Sequence, residues 1–128
     1  VRDSVLVASG MLNLSMGGIP AVPPLEAEEL HGIIGRTEEA WPVSLNPGQF
    51  HRRSIYLLSR RTFTQPMFLA FDKPDGILSC ARRGESTTAP QSLTLLNSGF
   101  MVEQARRLAK ISPVPAAMWR RVLGRSPT

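Results

Sequence analysis

Cysteine is almost missing from this chain: Cys80 stands alone, which excludes an internal disulfide framework and any all-cysteine zinc site within these residues. Histidine is nearly as scarce, and His31 and His51 with one cysteine, none of them closely spaced, do not compose a zinc site, so no metal is expected. Aromatic residues make up only 6%, too few for a base-stacking platform, and no nucleic-acid motif occurs, so nucleic acid is not expected as a partner. No stretch approaches the roughly 18 uninterrupted apolar residues of a membrane span, and no basic-then-apolar leader opens the chain. A C-x-x-C-H haem attachment is also missing, so no cofactor is expected within these residues.

The 128 residues that are present suffice for one domain and one core, spanning 1–128. Apolar residues at 42% and charged residues at 20% fit a globular protein, while 11 Pro and 10 Gly demand long irregular connections. Val1 falls inside an apolar periodic pattern without an initiator Met, as in a fragment cut from a larger protein. Acidic side chains are scarce in one half only. Residues 1–50 carry two basic against six acidic side chains, whereas residues 51–128 carry thirteen basic against four acidic. Such polarity fits a polyanion-binding half, an acidic half docked on a basic one, or a basic face turned toward another part of a parent protein.

Periodicity predicts a mainly α fold with a minor β component (α+β): several short helices, long Pro/Gly loops and one small two-stranded sheet. Val1, Val5, Ala8 and Leu12 form one helical stripe reaching to about Asn13. Residues 14–24 read as loop because Gly17-Gly18, Pro20 and Pro23-Pro24 interrupt regular structure. Leu25 to Ile33 reads as a short helix stopped by Gly35, with Glu26, Glu28 and Glu29 near its positive end. Arg53 to Arg61 is the strand candidate, with Ile77 to Arg82 as its pairing partner. Pro66 starts a helix ended by Pro74, Ser86-Thr87-Thr88 caps another, and Met101 to Lys110 continues the pattern after Asn97-Ser98-Gly99. A last helix covers Ala116 to Leu123 and stops at Gly124.

Four sets of residues carry possible chemistry. Asp72 and Asp75 are weak catalytic candidates as a carboxylate pair, since such pairs divide acid and base roles; the simpler role is to bond the backbone around Pro74. Cys80 with His31 or His51 would make a thiol nucleophile and base, but no local signature supports it and a buried apolar Cys80 is the simpler reading. Arg82, Arg83, Arg106 and Arg107 are the binding candidates, suited to phosphate or sulfate of an anionic polysaccharide. Asn13-Leu14-Ser15 fits a glycosylation acceptor, a pattern frequent by chance.

Five words occur in order: R-R-S-I-Y (52–56), F-D-K-P-D (71–75), S-C-A-R-R (79–83), S-T-T-A-P-Q-S-L-T-L-L-N (86–97) and R-R-V-L-G-R-S-P-T (120–128). With the opening R-D-S-V-L-V-A-S-G-M-L-N, they make the chain resemble a planctomycete-specific C-terminal domain of unknown function from large exported proteins, many carrying a cytochrome-c-like module. It departs from that family at Ser98-Gly99, where an Asp-Pro is usual, and in the short Ile111 to Pro115 segment before the closing word. The resemblance implies an exported, periplasmic or cell-envelope location and places any haem upstream in the parent; it implies no reaction. The expected role is a non-catalytic accessory domain docked on the remainder of its own parent chain. The alternatives are part of an enzyme acting on an envelope polymer and a basic polyanion-binding module.

Overall fold

Asn97-Ser98-Gly99, which interrupts the apolar spacing, is a junction between two helices. In the computed structural model, which describes residues 1–30, 37–74, 76, 78–82 and 84–127, α5 (Ala89–Asn97) gives way directly to α6 (Gly99–Ile111). Ser98 makes this possible: its extended backbone (φ −66°, ψ 137°) breaks the helix while its Oγ accepts from Met101 N at 3.3 Å. The other helices are α1 (Arg2–Ala8), α2 (Ala27–Leu30), α3 (Thr37–Ala40), α4 (Pro66–Ala70) and α7 (Pro115–Leu123). Single 3-10 turns occupy Pro47–Gln49 and Ser54–Tyr56. α6 packs on α1 and α5; α1 also meets α7, and α5 also meets α4.

Sequence chemistry accounts for most of these boundaries. Pro66, Pro90 and Pro115 each fall in a first turn, where the missing N–H has no intrahelical partner to lose. α1 ends earlier than its apolar stripe suggests. Gly10 adopts φ +72°, a left-handed conformation open to glycine, and turns the chain so that Met11 N and Leu12 N both donate to Leu6 O. α2 begins at Ala27, two residues later than the expected Leu25–Ile33 helix, and runs through the rest of that helix's described residues; His31, Ile33, Gly35, Asp75, Ile77 and Arg83 lie outside the described residues.

The expected two-stranded sheet does not form, and the fold class is corrected accordingly: among the described residues the protein is helical, with isolated β-bridges in place of a sheet. Ser54–Tyr56 winds into a 3-10 turn, so Ile55 is 78% exposed instead of covered. The backbone demand of this segment is still met, from the 14–24 loop. Ala21 N donates to Tyr56 O at 2.8 Å and Leu58 N donates to Ala21 O at 2.9 Å, while Asn13 N donates to His51 O at 2.9 Å. Pro20 and Pro23 bracket Ala21 and offer no N–H, which stops the pairing from growing into a ladder. Both β-bridges between described residues lie elsewhere, at Asn13–Arg52 and Ala21–Leu57, and Leu78 of the intended partner is 75% exposed.

Two buried arginines take over the work of a sheet. Arg2 donates to the carbonyls of Arg52 (2.8 Å) and Phe50 (2.5 Å), and Asp3 beside it accepts from Ser54 N (2.9 Å) and Oγ (2.6 Å). Burial lowers the Arg2 pKa from its ordinary value, and Asp3 opposes that shift. Arg52, 2% exposed, donates to the carbonyls of Ser15, Gly17 and Ile19 and lies 4.4 Å from the Tyr56 ring centroid. Its targets can converge because Gly17 and Gly18 hold φ of +75° and +78°, curling the loop around one guanidinium. The apolar core beside them is small: Leu6, Ala21, Val22, Trp41 and Leu57. Trp41 donates to Pro23 O at 2.8 Å and meets Phe63 edge-on at 5.3 Å.

A lysine at position 52 keeps the charge but has no planar fork to serve three carbonyls. Arg52→Lys is therefore expected to lower unfolding free energy by about 2–3 kcal/mol in urea titration, the range for charge-assisted hydrogen bonds. An unchanged midpoint would remove Arg52 from its structural role.

Candidate functional site

The sequence-predicted residues do not converge on one place. Asp72 directly follows the C-cap of α4 at φ +56°, and its carboxylate accepts from Ser86 N (2.8 Å) and Ser86 Oγ (2.8 Å), tying the end of α4 to the approach to α5. Gln91 joins the same cluster through Ser86 O at 3.1 Å. The partner seen here is Ser86, 14 residues on, so this bond joins two segments and is not the expected bond to the backbone around Pro74. Cys80 is exposed, which corrects the expectation of burial, and its thiol donates to Arg82 O at 3.1 Å.

Arg107 pairs with Glu103 one helical turn away (2.6 Å) and reaches Met11 Sδ at 3.4 Å, while Arg106 is exposed on α6 and Arg82 is exposed in the loop before α5. Neither cleft described below is lined by Arg82, Arg106 or Arg107. The two ion pairs between described residues, Arg2–Asp3 and Glu103–Arg107, are local in sequence and do not join the acidic half to the basic half.

A larger constellation forms where composition gave no warning. A cleft of about 670 Å³ opens between the Pro23-Pro24-Leu25 segment, the start of α4, and the α5–α6 junction. Leu25, Phe50, Met67, Leu93 and Phe100 form its apolar walls, and Glu26, Glu28, Glu29 and Glu103 stand around it. α2 sets two of these acids in place: Glu29 Oε2 accepts from Glu26 N at 2.9 Å, a side-chain cap at the head of the helix. Glu26 then reaches the N-terminus of α6. A Cβ at Gly99 would lie 3.0 Å from Glu26 Oε1, so glycine leaves room for the carboxylate against the positive helix end.

Two polar groups border the cleft beneath this rim. Gln65 is 9% exposed, and its Nε2 has no hydrogen-bond partner. His51 is half-buried; desolvation lowers its pKa from the ordinary 6.5, Arg107 and Arg2 push the same way, and Glu103 opposes them. At neutral pH the imidazole is therefore uncharged and leaves the surrounding carboxylates unneutralised. A second cleft, of about 460 Å³ and mainly apolar, lies among α1, α6 and α7 between Val5, Ala8, Met101, Leu108 and Val122. Gln104 and Ser9 are buried at its edge, 2.7 Å apart, with Gln104 Nε2 unpartnered. Among the described residues no group of three or more His, Cys, Asp or Glu is placed to hold a metal ion.

These features define a mainly helical domain with an acid-rimmed apolar cleft and no assigned chemistry. The chain belongs to the PSD1 family, described as a protein of unknown function (DUF1553), whose model matches residues 1–128. No curated protein and no solved structure matches it. The family agrees with the sequence resemblance at the level of a domain of unknown function covering the whole chain.

Two measurements check the site geometry. The sign for His51 follows from its lowered folded pKa: as pH falls below the unfolded value near 6.5, the unfolded chain binds the proton first and stability declines toward the folded pKa. The His51 imidazole, assigned by NMR with His31→Gln as reference, should titrate with a midpoint below 6.5, and a midpoint at or above that value would contradict the burial seen here. Asp72→Ala removes the acceptor of Ser86 and places alanine at a left-handed φ, so a thermal melt should register a loss of about 1–2 kcal/mol.

Proposed function

We propose that this chain is a non-catalytic docking domain of a larger exported, cell-envelope protein, covered in use by the remainder of its parent chain. The observation that carries the reading is surface. Its accessible area is 9142 Å², whereas a compact monomer of this mass exposes roughly 6700 Å². Much of what stands out is apolar: Leu93 and Leu96 on α5 are 56% and 72% exposed, and Val122 and Leu123 on α7 are 53% and 51% exposed. Side chains of this kind on α5 and α7 suit coverage by another protein surface, and the apolar cleft among α1, α6 and α7 suits an inserted side chain. The exported setting and the restriction to planctomycetes are supported by the sequence resemblance alone.

In isolation the chain should bind an apolar fluorescent dye and self-associate as concentration rises in sedimentation velocity, because those faces lack their cover. A dye-silent, monodisperse monomer that melts cooperatively would overturn the docking reading.

A further inference from the structure

We propose that the 670 Å³ cleft is a binding groove for a polypeptide segment in which lysine or arginine alternates with apolar residues. This rests on the docking reading and gives its partner a chemistry. Four observations favour such an occupant. The walls are apolar, with Leu25, Phe50 and Leu93 facing the space and Phe100 at the α6 end. The rim is acidic: Glu26, Glu28 and Glu29 come from one short stretch and Glu103 from α6, with only Glu103 engaged by a described cation, Arg107. The basic group within the cleft, Arg2, is committed to Phe50 O, Arg52 O and Asp3 and does not cancel that field.

Gln65 supplies the fourth observation. It is more than nine-tenths buried among the lining residues, and its amide Nε2, shut off from solvent and without a partner, carries a desolvation penalty that a turn of the side chain toward a carbonyl in the cleft relieves. A peptide brings such carbonyls at every residue, whereas a simple amine brings none. The volume lies within the range of roughly 300–1,000 Å³ that encloses drug-sized ligands, enough for a few residues of extended chain. Charge across such an interface sets specificity and approach more than total affinity, so discrimination between basic and acidic segments is the property to measure.

The test uses the full 128-residue chain and two fluorescein-labelled hexapeptides, alternating Leu-Lys and alternating Leu-Glu, followed by anisotropy at two salt concentrations. The Leu-Lys peptide should bind, more weakly at high salt, and the Leu-Glu peptide should not. Glu26→Gln with Glu28→Gln should weaken Leu-Lys binding about tenfold, the loss of two partly exposed ion pairs, while Glu85→Gln outside the cleft changes nothing. Leu93→Ser should weaken binding at both salt concentrations, since it removes apolar wall and no charge.

Equal binding of the two peptides, no binding of Leu-Lys at low salt, or binding indifferent to the double substitution overturns the proposal. Spermidine displacing the peptide at equal concentration would assign the cleft to small polycations and overturn it as well. Dye binding and self-association of the Glu26→Gln, Glu28→Gln chain separate this result from the broader one. If both persist while peptide binding is absent, the groove assignment fails and docking through α5 and α7 stands. If both are absent in the wild-type chain, docking itself fails.

Discussion

Two guanidinium groups linked in series hold the irregular parts of this molecule to its helices. Arg2 leaves α1 to bond the carbonyls of Phe50 and Arg52, and Arg52 leaves that segment to bond those of Ser15, Gly17 and Ile19. Proline-rich loops create the need for this arrangement. Where Pro20, Pro23 and Pro24 withhold donors, regular strand pairing cannot develop, and the remaining carbonyls need donors that fan outward from one point. Arginine supplies five N–H groups in a rigid fork, and burial strengthens each bond by excluding competing water. The cost is visible in Arg52 Nε, buried and without a partner.

Fastening loops by side chain instead of by sheet leaves their apolar residues outside. Leu14, Met16 and Ile19 are 69%, 79% and 84% exposed on the very loop whose carbonyls Arg52 gathers. Residues 14–19 are held through their backbone carbonyls, and the loop buries side chains only further on, at Ala21 and Val22. The helices repeat the pattern, with α6 meeting α1 through the buried Ser9–Gln104 contact as well as through aliphatic packing. A fold stabilised in this way keeps a small core and a large apolar exterior.

The acid-rimmed cleft follows from the same economy of regular structure. α2 is too short to bury a face, so it lends its carboxylates to the surroundings: Glu29 to the backbone of Glu26, and Glu26 to the head of α6. Phe50 and His51 are held at the cleft because Arg2 and Asn13 fix their carbonyls. Its electrostatic character is thus set by three segments distant in sequence, with His51 kept neutral by burial.

Local chemistry in the sequence determined the helices. Proline in first turns, the Ser98 cap and Gly124 at the end of α7, where φ is +68°, act within one or two turns and are legible without any partner. Asp72 was legible as a residue of the turn after α4, but its bond to Ser86, 14 residues on, was not. The Ile55-Tyr56-Leu57-Leu58 run was not, because a contiguous apolar stretch states a need for partners without naming them, and the partner came from a proline-broken loop about 35 residues earlier that could offer only Ala21. Cys80 looked like a core residue from its apolar neighbours, yet burial depends on what packs over a segment, which no local pattern records. Glu26, Glu28 and Glu29 read as charges placed near the positive end of a short helix. Only the tertiary structure set Phe50, Gln65 and Phe100 beside them, because a cleft is a relation between surfaces brought together from distant segments.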